Sequence, residues 1–232
     1  MQELSCPNMS AYLDLLDNSA ELRRECERRM TVSISRFFRD RQLWQGLEKD
    51  VLPYMVERHQ KLLHVWSAGC ACGEEVYSFK IVCERLNKKY AQLPEIKMVA
   101  TDVHPDYIEK ARAGIYTKSS VKEVSREVRE YCFDIREGGH RFAVKAFLKT
   151  GIDWKVRDIF NGPPGVEFDI IFLRNNLLTY YQEHFKLEAF DRVVKTLAPD
   201  GWLIVGSHEK IPAAVSRMQR HHFLPWAYRQ DI

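Results

Sequence analysis

The residues best suited to chemistry stand at the ends of short apolar runs. Val65-Trp66-Ser67 leads into Ala68-Gly69-Cys70-Ala71-Cys72-Gly73-Glu74-Glu75, a small-residue turn that opens a helical pattern. Such a turn lets backbone approach a ligand beyond the carboxyl end of a parallel strand, where the helix N-terminus also points. About thirty residues later, Met98-Val99-Ala100-Thr101 ends in Asp102. A carboxylate there can bind both hydroxyls of a ribose, or else cap the helix that begins near Pro105. Phe168-Asp169-Ile170-Ile171-Phe172-Leu173 then runs into Arg174-Asn175-Asn176-Leu177-Leu178-Thr179-Tyr180-Tyr181. Asn175 and Tyr180 thereby bring hydrogen-bond donors to the same sheet edge, and Asp158-Ile159, ending another short run, is expected to flank an adenine.

The turn is not G-x-G-x-x-G, and Glu74 and Glu75 stand where the pyrophosphate of a dinucleotide would lie. Like charges would repel. A sulfonium cofactor has no phosphate and is cationic near its amino-acid end, so acids at this point favour it. The expected cofactor is therefore S-adenosylmethionine, with S-adenosylhomocysteine as product.

Six cysteines in a chain of 232 residues, with no signal-peptide pattern at Met1–Ser10, read as reduced thiols. Cys70-Ala71-Cys72 lacks a second Cys/His pair of zinc-binding spacing, and no metal is expected. A net charge of +3 without a dense basic stripe argues against a nucleic-acid partner. No apolar run approaches the roughly 20 residues of a membrane span, so a cytoplasmic protein is expected. Oligomeric state is not legible here.

To position these groups the chain needs a parallel sheet with helices on its faces, an α/β fold. Strands are expected at Leu63–Ser67, Ile96–Asp102, Phe168–Leu173 and Trp202–Ser207, with a weaker one near Trp154–Asp158. Helices fall near Glu75–Tyr90, Pro105–Gly114 and His184–Leu197. Residues 1–60 read as an N-terminal helical segment: an amphipathic stretch from Met9 to Arg29 is broken near Asn18 and Ser19. A helix carrying Leu43, Trp44, Leu47, Val51 and Leu52 follows, with Pro53 near its end. The aromatics of this helix and of Arg36-Phe37-Phe38-Arg39-Asp40 should dock on the main domain, residues 61–232. Between about 119 and 154 the alternation breaks, and Gly138-Gly139 suggests a hairpin in a small antiparallel β insertion.

Taken in order, these motifs resemble the CheR-type methyltransferases, Rossmann-like class I enzymes that transfer methyl from S-adenosylmethionine to glutamates of chemotaxis receptors. The resemblance spans roughly Thr31 to Pro212. It rests on Val32-Ser33-Ile34-Ser35-Arg36-Phe37-Phe38-Arg39-Asp40, on Trp66 to Glu75, on Ala100-Thr101-Asp102, on Lys110 to Tyr116, on Phe168 to Tyr181 and on Pro199-Asp200-Gly201. It implies cofactor contacts at Ser33, Ser35, Arg39, Gly69, Glu74 or Glu75, Asp102, Asp158, Ile159, Asn175 and Asn176, and catalytic roles for Arg39 and a tyrosine. Three departures accompany it. The segment before Thr31 is shorter than the family's receptor-recognition domain, and Asp158-Ile159-Phe160 replaces Asn-Leu-Leu. The run after Arg174-Asn175 carries one extra residue, which makes Tyr180 the first match for the tyrosine and Tyr181 the second.

The implied acceptor is a protein glutamate, receptor-like or otherwise, already ionised at neutral pH and in need of no strong base. The alternatives are methylation of a small molecule or another protein nucleophile, and a regulatory module that binds the cofactor without turnover.

Overall fold

The computed structural model describes residues 8–19, 21–22, 26, 35–58, 61–90, 93–212 and 218–230. Packing divides the chain into Met1–Ile34 and Ser35–Ile232. In the first unit, helix α1 (Met9–Asn18) starts at Asn8, whose side chain accepts from the Ala11 amide at 2.9 Å, and stops at Ser19 in extended conformation.

In the second unit α2 (Arg41–Gly46), a wider π turn (Leu47–Val51) and α3 (Leu52–Arg58) follow one another directly. Pro53 does not end this helix, as the sequence suggested. The π turn, closed by Leu52 N donating to Leu47 O, widens the backbone just before a residue that lacks an N–H, and the helix continues to Arg58. Leu43, Trp44, Leu47, Val51 and Leu52 are buried, and Trp44 stacks on Phe172 with ring centroids 5.9 Å apart. These residues, grouped with the N-terminus on sequence grounds, therefore share the core of the sheet.

The main sheet contains β1 (Leu62–Ala68), β2 (Glu95–Asp102), β6 (Ile152–Val156), β7 (Phe168–Leu173), β8 (Leu197–Val205), β9 (Met218–Arg220) and β10 (Ala227–Gln230), in the order β6-β2-β1-β7-β8-β10-β9. The first five run parallel, β10 pairs antiparallel with β8, and β9 pairs antiparallel with β10. Chain order reverses between β1 and β7, which opens a crevice beyond their carboxyl ends. Period-two alternation builds a core on each face. Val65, Ile170, Phe172 and Ile204 pack on one side with Phe37, Trp44 and α4 (Glu74–Lys89), while Trp66, Ala68, Ile171, Leu173, Leu203 and Val205 pack on the other with Phe190 and Val193 of α9 (Glu183–Val194).

The insertion is a separate three-stranded sheet, β3 (Ile115–Thr117), β4 (Phe133–Arg136) and β5 (Arg141–Val144), in the order β3-β5-β4. It starts earlier and ends earlier than the sequence suggested, since Trp154 pairs with Ala100 as part of β6 in the main sheet. The weak strand expected to reach Asp158 stops at Val156: Arg157 N makes the last bond to β2, donating to Asp102 O at 2.8 Å, and Asp158 then enters a turn in which its side chain accepts from Phe160 N. Between β2 and the insertion lies α5 (Pro105–Ala113), α6 (Arg126–Cys132) precedes β4, α7 (Ala146–Lys149) follows β5, and after β7 comes the short helix α8 (Leu177–Tyr180).

Candidate functional site

The first strand ends in a turn built onto the end of the second. Gly69 N and Cys70 N both donate to Thr101 O, at 2.8 and 2.9 Å, and Ala71 N donates to Asp102 Oδ2 at 2.9 Å. Gly69 has φ +79°, and a Cβ there would lie 2.1 Å from Asn176 Nδ2, so conformation and space both require glycine. Asp102 is 8% exposed, and its other oxygen accepts from His104 N at 3.0 Å. Burial raises its pKa above the ordinary carboxylate value, opposed by these backbone bonds. It does not cap helix α5, whose N-cap is His104 with no side-chain bond to the helix amides; it braces the two loops, and each oxygen keeps a lone pair for a further donor.

Helix α4 opens with two acids that have different fates. Glu75 accepts from Ser67 Oγ at 2.8 Å and from Arg174 Nη1 at 2.9 Å. Glu74 is 4% exposed, has the hydroxyls of Ser35 and Ser120 beside it, and keeps Oε2 buried without a partner. Burial raises its pKa, with the backbone and the two serines pulling it back. An unpaired carboxylate oxygen in the interior costs on the order of 1–3 kcal/mol or more, a cost that a cationic ligand would offset.

Arg39 lies on a turn in which its neighbours Phe38 (φ 53°) and Asp40 (φ 63°) are both left-handed. Its carbonyl accepts from Trp44 Nε1 at 2.7 Å and Arg174 Nη2 at 3.3 Å, and its Nη2 donates to Asn175 Oδ1 at 3.3 Å. Arg174, with its side chain 3% exposed, joins Asp40 Oδ2 at 2.7 Å to Glu75 Oε2 at 2.9 Å. A cation at the end of an apolar strand was the available sequence signal for this hub, which was not singled out there. Also unanticipated was Glu209, 8% exposed, which accepts from Asn175 N, Gly206 N and Thr179 Oγ1. By holding Gly206 N it also ends β8 at Val205, before the Ser207 expected from sequence.

The fold thus brings Ser35, Arg39, Gly69, Glu74, Glu75, Asp102, Asn175 and Asn176 to one edge of the sheet. Asn176 is engaged internally, donating to Ala68 O and accepting from Leu177 N at 2.5 Å. Asp158 Oδ1 accepts from Phe160 N at 2.9 Å across the short turn Ile159–Asn161, and Ile159 packs against the second core. Tyr180 is 66% exposed at the end of α8, Tyr181 meets Phe160 edge-on at 4.8 Å, and the hydroxyl turned inward between them and Asn176 is that of Thr179. Ser33 lies outside the described residues.

A buried acid with an orphaned oxygen, a second acid at the end of β2 and a glycine turn fit a ligand that carries both a ribose and a positive charge. S-adenosylmethionine is such a ligand: Asp102 would hold its ribose and Glu74 its cationic amino-acid end.

Comparison with known proteins places this arrangement in a family. A sequence model of the CheR methyltransferase SAM-binding domain matches residues 33–227. The chain is similar to the chemotaxis protein methyltransferase of Listeria monocytogenes, with 31% identity over 182 residues covering 78% of this chain and 67% of that protein. It is likewise similar to chemotaxis protein methyltransferase 1 of Pseudomonas aeruginosa, with 29% identity over 78% of this chain and 68% of the relative. With the probable chemotaxis protein methyltransferase of Rhizobium etli the identity is 28%, over 91% and 81%. This chain belongs to the CheR methyltransferase family and is an S-adenosylmethionine-dependent methyltransferase.

Proposed function

We propose that the enzyme esterifies the side-chain carboxylate of a protein glutamate, with Arg39 and Tyr180 acting on the acceptor and Glu74 and Asp102 holding the cofactor. The observation that carries this is the commitment of the acids around Arg39. Asp40 and Glu75 are paired with Arg174, and Glu209 already accepts from two amides and a hydroxyl. Their engagement disfavours each of these three as the base for a neutral acceptor. A glutamate, ionised at neutral pH with a reference pKa near 4.3, brings its own nucleophilic charge.

Bound S-adenosylmethionine supplies an electrophilic methyl group on a sulfonium. The chain's part is orientation. Arg39, fixed at its carbonyl and its guanidinium, presents a cation that pairs with one carboxylate oxygen and leaves the other to attack. Tyr180, exposed at the rim, donates its hydroxyl once the acceptor covers the site. The three relatives are named chemotaxis protein methyltransferases, which supports an acceptor in chemotaxis; the proposed acceptor is a receptor, methylated in the cytoplasm. Among the described residues no helix is long and apolar enough to cross a membrane.

The test is incubation with methyl-labelled cofactor and a purified chemoreceptor signalling fragment, in parallel with cell lysate, followed by mass spectrometry of the labelled peptides. The added methyl should sit on glutamate and be lost with Arg39→Ala. Methyl found on lysine, histidine, a hydroxyl or a small molecule would refute the carboxylate acceptor.

A further inference from the structure

Two groups beyond the ends of β7 and β8 converge on Arg39. One is the Arg174 hub, which fixes its backbone through Arg39 O and Asp40. The other begins at Glu209, beyond β8. Its Oε2 accepts from Asn175 N at 2.8 Å and Gly206 N at 2.7 Å, and its Oε1 accepts from Thr179 Oγ1 at 2.6 Å. Asn175 is left-handed, φ 53°, a region that asparagine enters more readily than other L-residues and in which its partners hold it here. Those surroundings are tight: a Cβ on Gly206 would lie 2.7 Å from Glu209 Oε2 and 2.9 Å from Asn175 Oδ1. In that conformation Asn175 Oδ1 accepts from Arg39 Nη2 at 3.3 Å.

We infer that Glu209 is a positioning residue for methyl transfer: it holds Asn175 in its left-handed turn and thereby aims the guanidinium of Arg39 at the acceptor. This rests on Arg39 acting in the transfer. Glu209 itself makes no approach to the reacting atoms, since all three of its contacts are internal. One carboxylate serves three donors from two segments, so the end of β8, the turn after β7 and helix α8 move as a unit. A glutamine can replace it with little loss, its oxygen accepting from both amides and its NH2 donating to Thr179 Oγ1. Alanine cannot.

The experiment is a double-mutant cycle with methyl-labelled cofactor and a purified chemoreceptor signalling fragment, using Glu209→Ala and Arg39→Lys, the latter chosen to keep a measurable rate. Glu209→Ala should lower kcat by about 10- to 100-fold, leave S-adenosylhomocysteine affinity within about threefold by calorimetry, and be rescued most of the way by Glu209→Gln. In the Arg39→Lys background, where the aim of the guanidinium is already lost, the same substitution should cost less than about threefold. A crystal structure of Glu209→Ala should show Asn175 out of the left-handed region. Equal fold-losses in both backgrounds, or an unmoved Asn175, would overturn the inference. If Glu209→Ala does not fold, Glu209→Asp, which keeps the charge but cannot reach all three donors, takes its place. A full rate for Arg39→Lys and Arg39→Ala would instead overturn the role of Arg39, a separate outcome.

Discussion

Arg39 Nη2 lies 3.3 Å from Asn175 Oδ1, a contact between residues 136 positions apart that joins the segment before the sheet to the end of β7. It ties a flexible cation to a rigid turn at the place where the acceptor should arrive. Arg39→Ala should therefore lower turnover by about 100- to 1000-fold, the range seen when one oriented charge-stabilising donor is removed. Tyr180→Phe should lower it less, because Tyr180 starts out exposed. Steady-state kinetics with the labelled cofactor checks both. If Tyr181→Phe slows turnover and Tyr180→Phe does not, the tyrosine lies one position on, and full rate in both removes the tyrosine role.

Asp102 is expected to affect binding. Its carboxylate is held in place by Ala71 N and His104 N and has capacity left for ribose hydroxyls. Asp102→Ala should weaken S-adenosylhomocysteine binding by about 1.5–3 kcal/mol, about ten- to hundred-fold in Kd. Unchanged affinity in calorimetry would take Asp102 out of the cofactor site.

Glu74 predicts a proton linkage. Burial raises its pKa, so in the cofactor-free protein it holds a proton at pH values where an unfolded chain has already released it. Over that interval the free protein gains stability as pH falls. A cationic ligand favours the ionised form, so binding should release a proton. Affinity should be constant above the raised value and fall as pH drops through it. Calorimetry in buffers of different ionisation enthalpy reads the proton count directly, and Glu74→Gln should bind more weakly and release fewer protons. Binding that strengthens on acidification would contradict the assignment.

Arg174 carries the structural counterpart. Replacing it by methionine leaves the partly buried Asp40 and Glu75 without their common cation, which should cost about 2–3 kcal/mol of stability, below the range for fully buried pairs. Chemical denaturation measures this. The charge-removing triple variant Arg174→Met, Asp40→Asn, Glu75→Gln should recover part of the loss, since it leaves no unpaired charge.

Much of this site was legible because its groups stand at the ends of apolar strands. Asp102 follows Ala100-Thr101 and Asn175 follows Leu173-Arg174, and a strand of period two that ends in a polar residue announces both its register and its edge. Arg174 and Glu209 were not legible as a hub and a clamp, because what defines them is contact with Asp40 at a separation of 134 residues and with Asn175 at 34. Beyond the place of Arg174 at the end of an apolar strand, nothing local distinguishes them from surface charges. The inward turn of Thr179 depends on Glu209, 30 positions on, and spacing alone left it to compete with its aromatic neighbours. Pro53 was misplaced for the converse reason: a local rule against proline in helices was overridden by a π turn that only packing reveals.

The most direct test of the account is the chemical stability of the product. After incubation with methyl-labelled S-adenosylmethionine and a chemoreceptor signalling fragment, the washed protein is exposed briefly to mild alkali and the volatile fraction is counted. A glutamate methyl ester should surrender its label as methanol, and the Arg39→Ala enzyme should yield almost none. Label that stays on the protein through alkali would mean an N-methyl, C-methyl or ether product, and would contradict the claim that the site is built around an acceptor carboxylate.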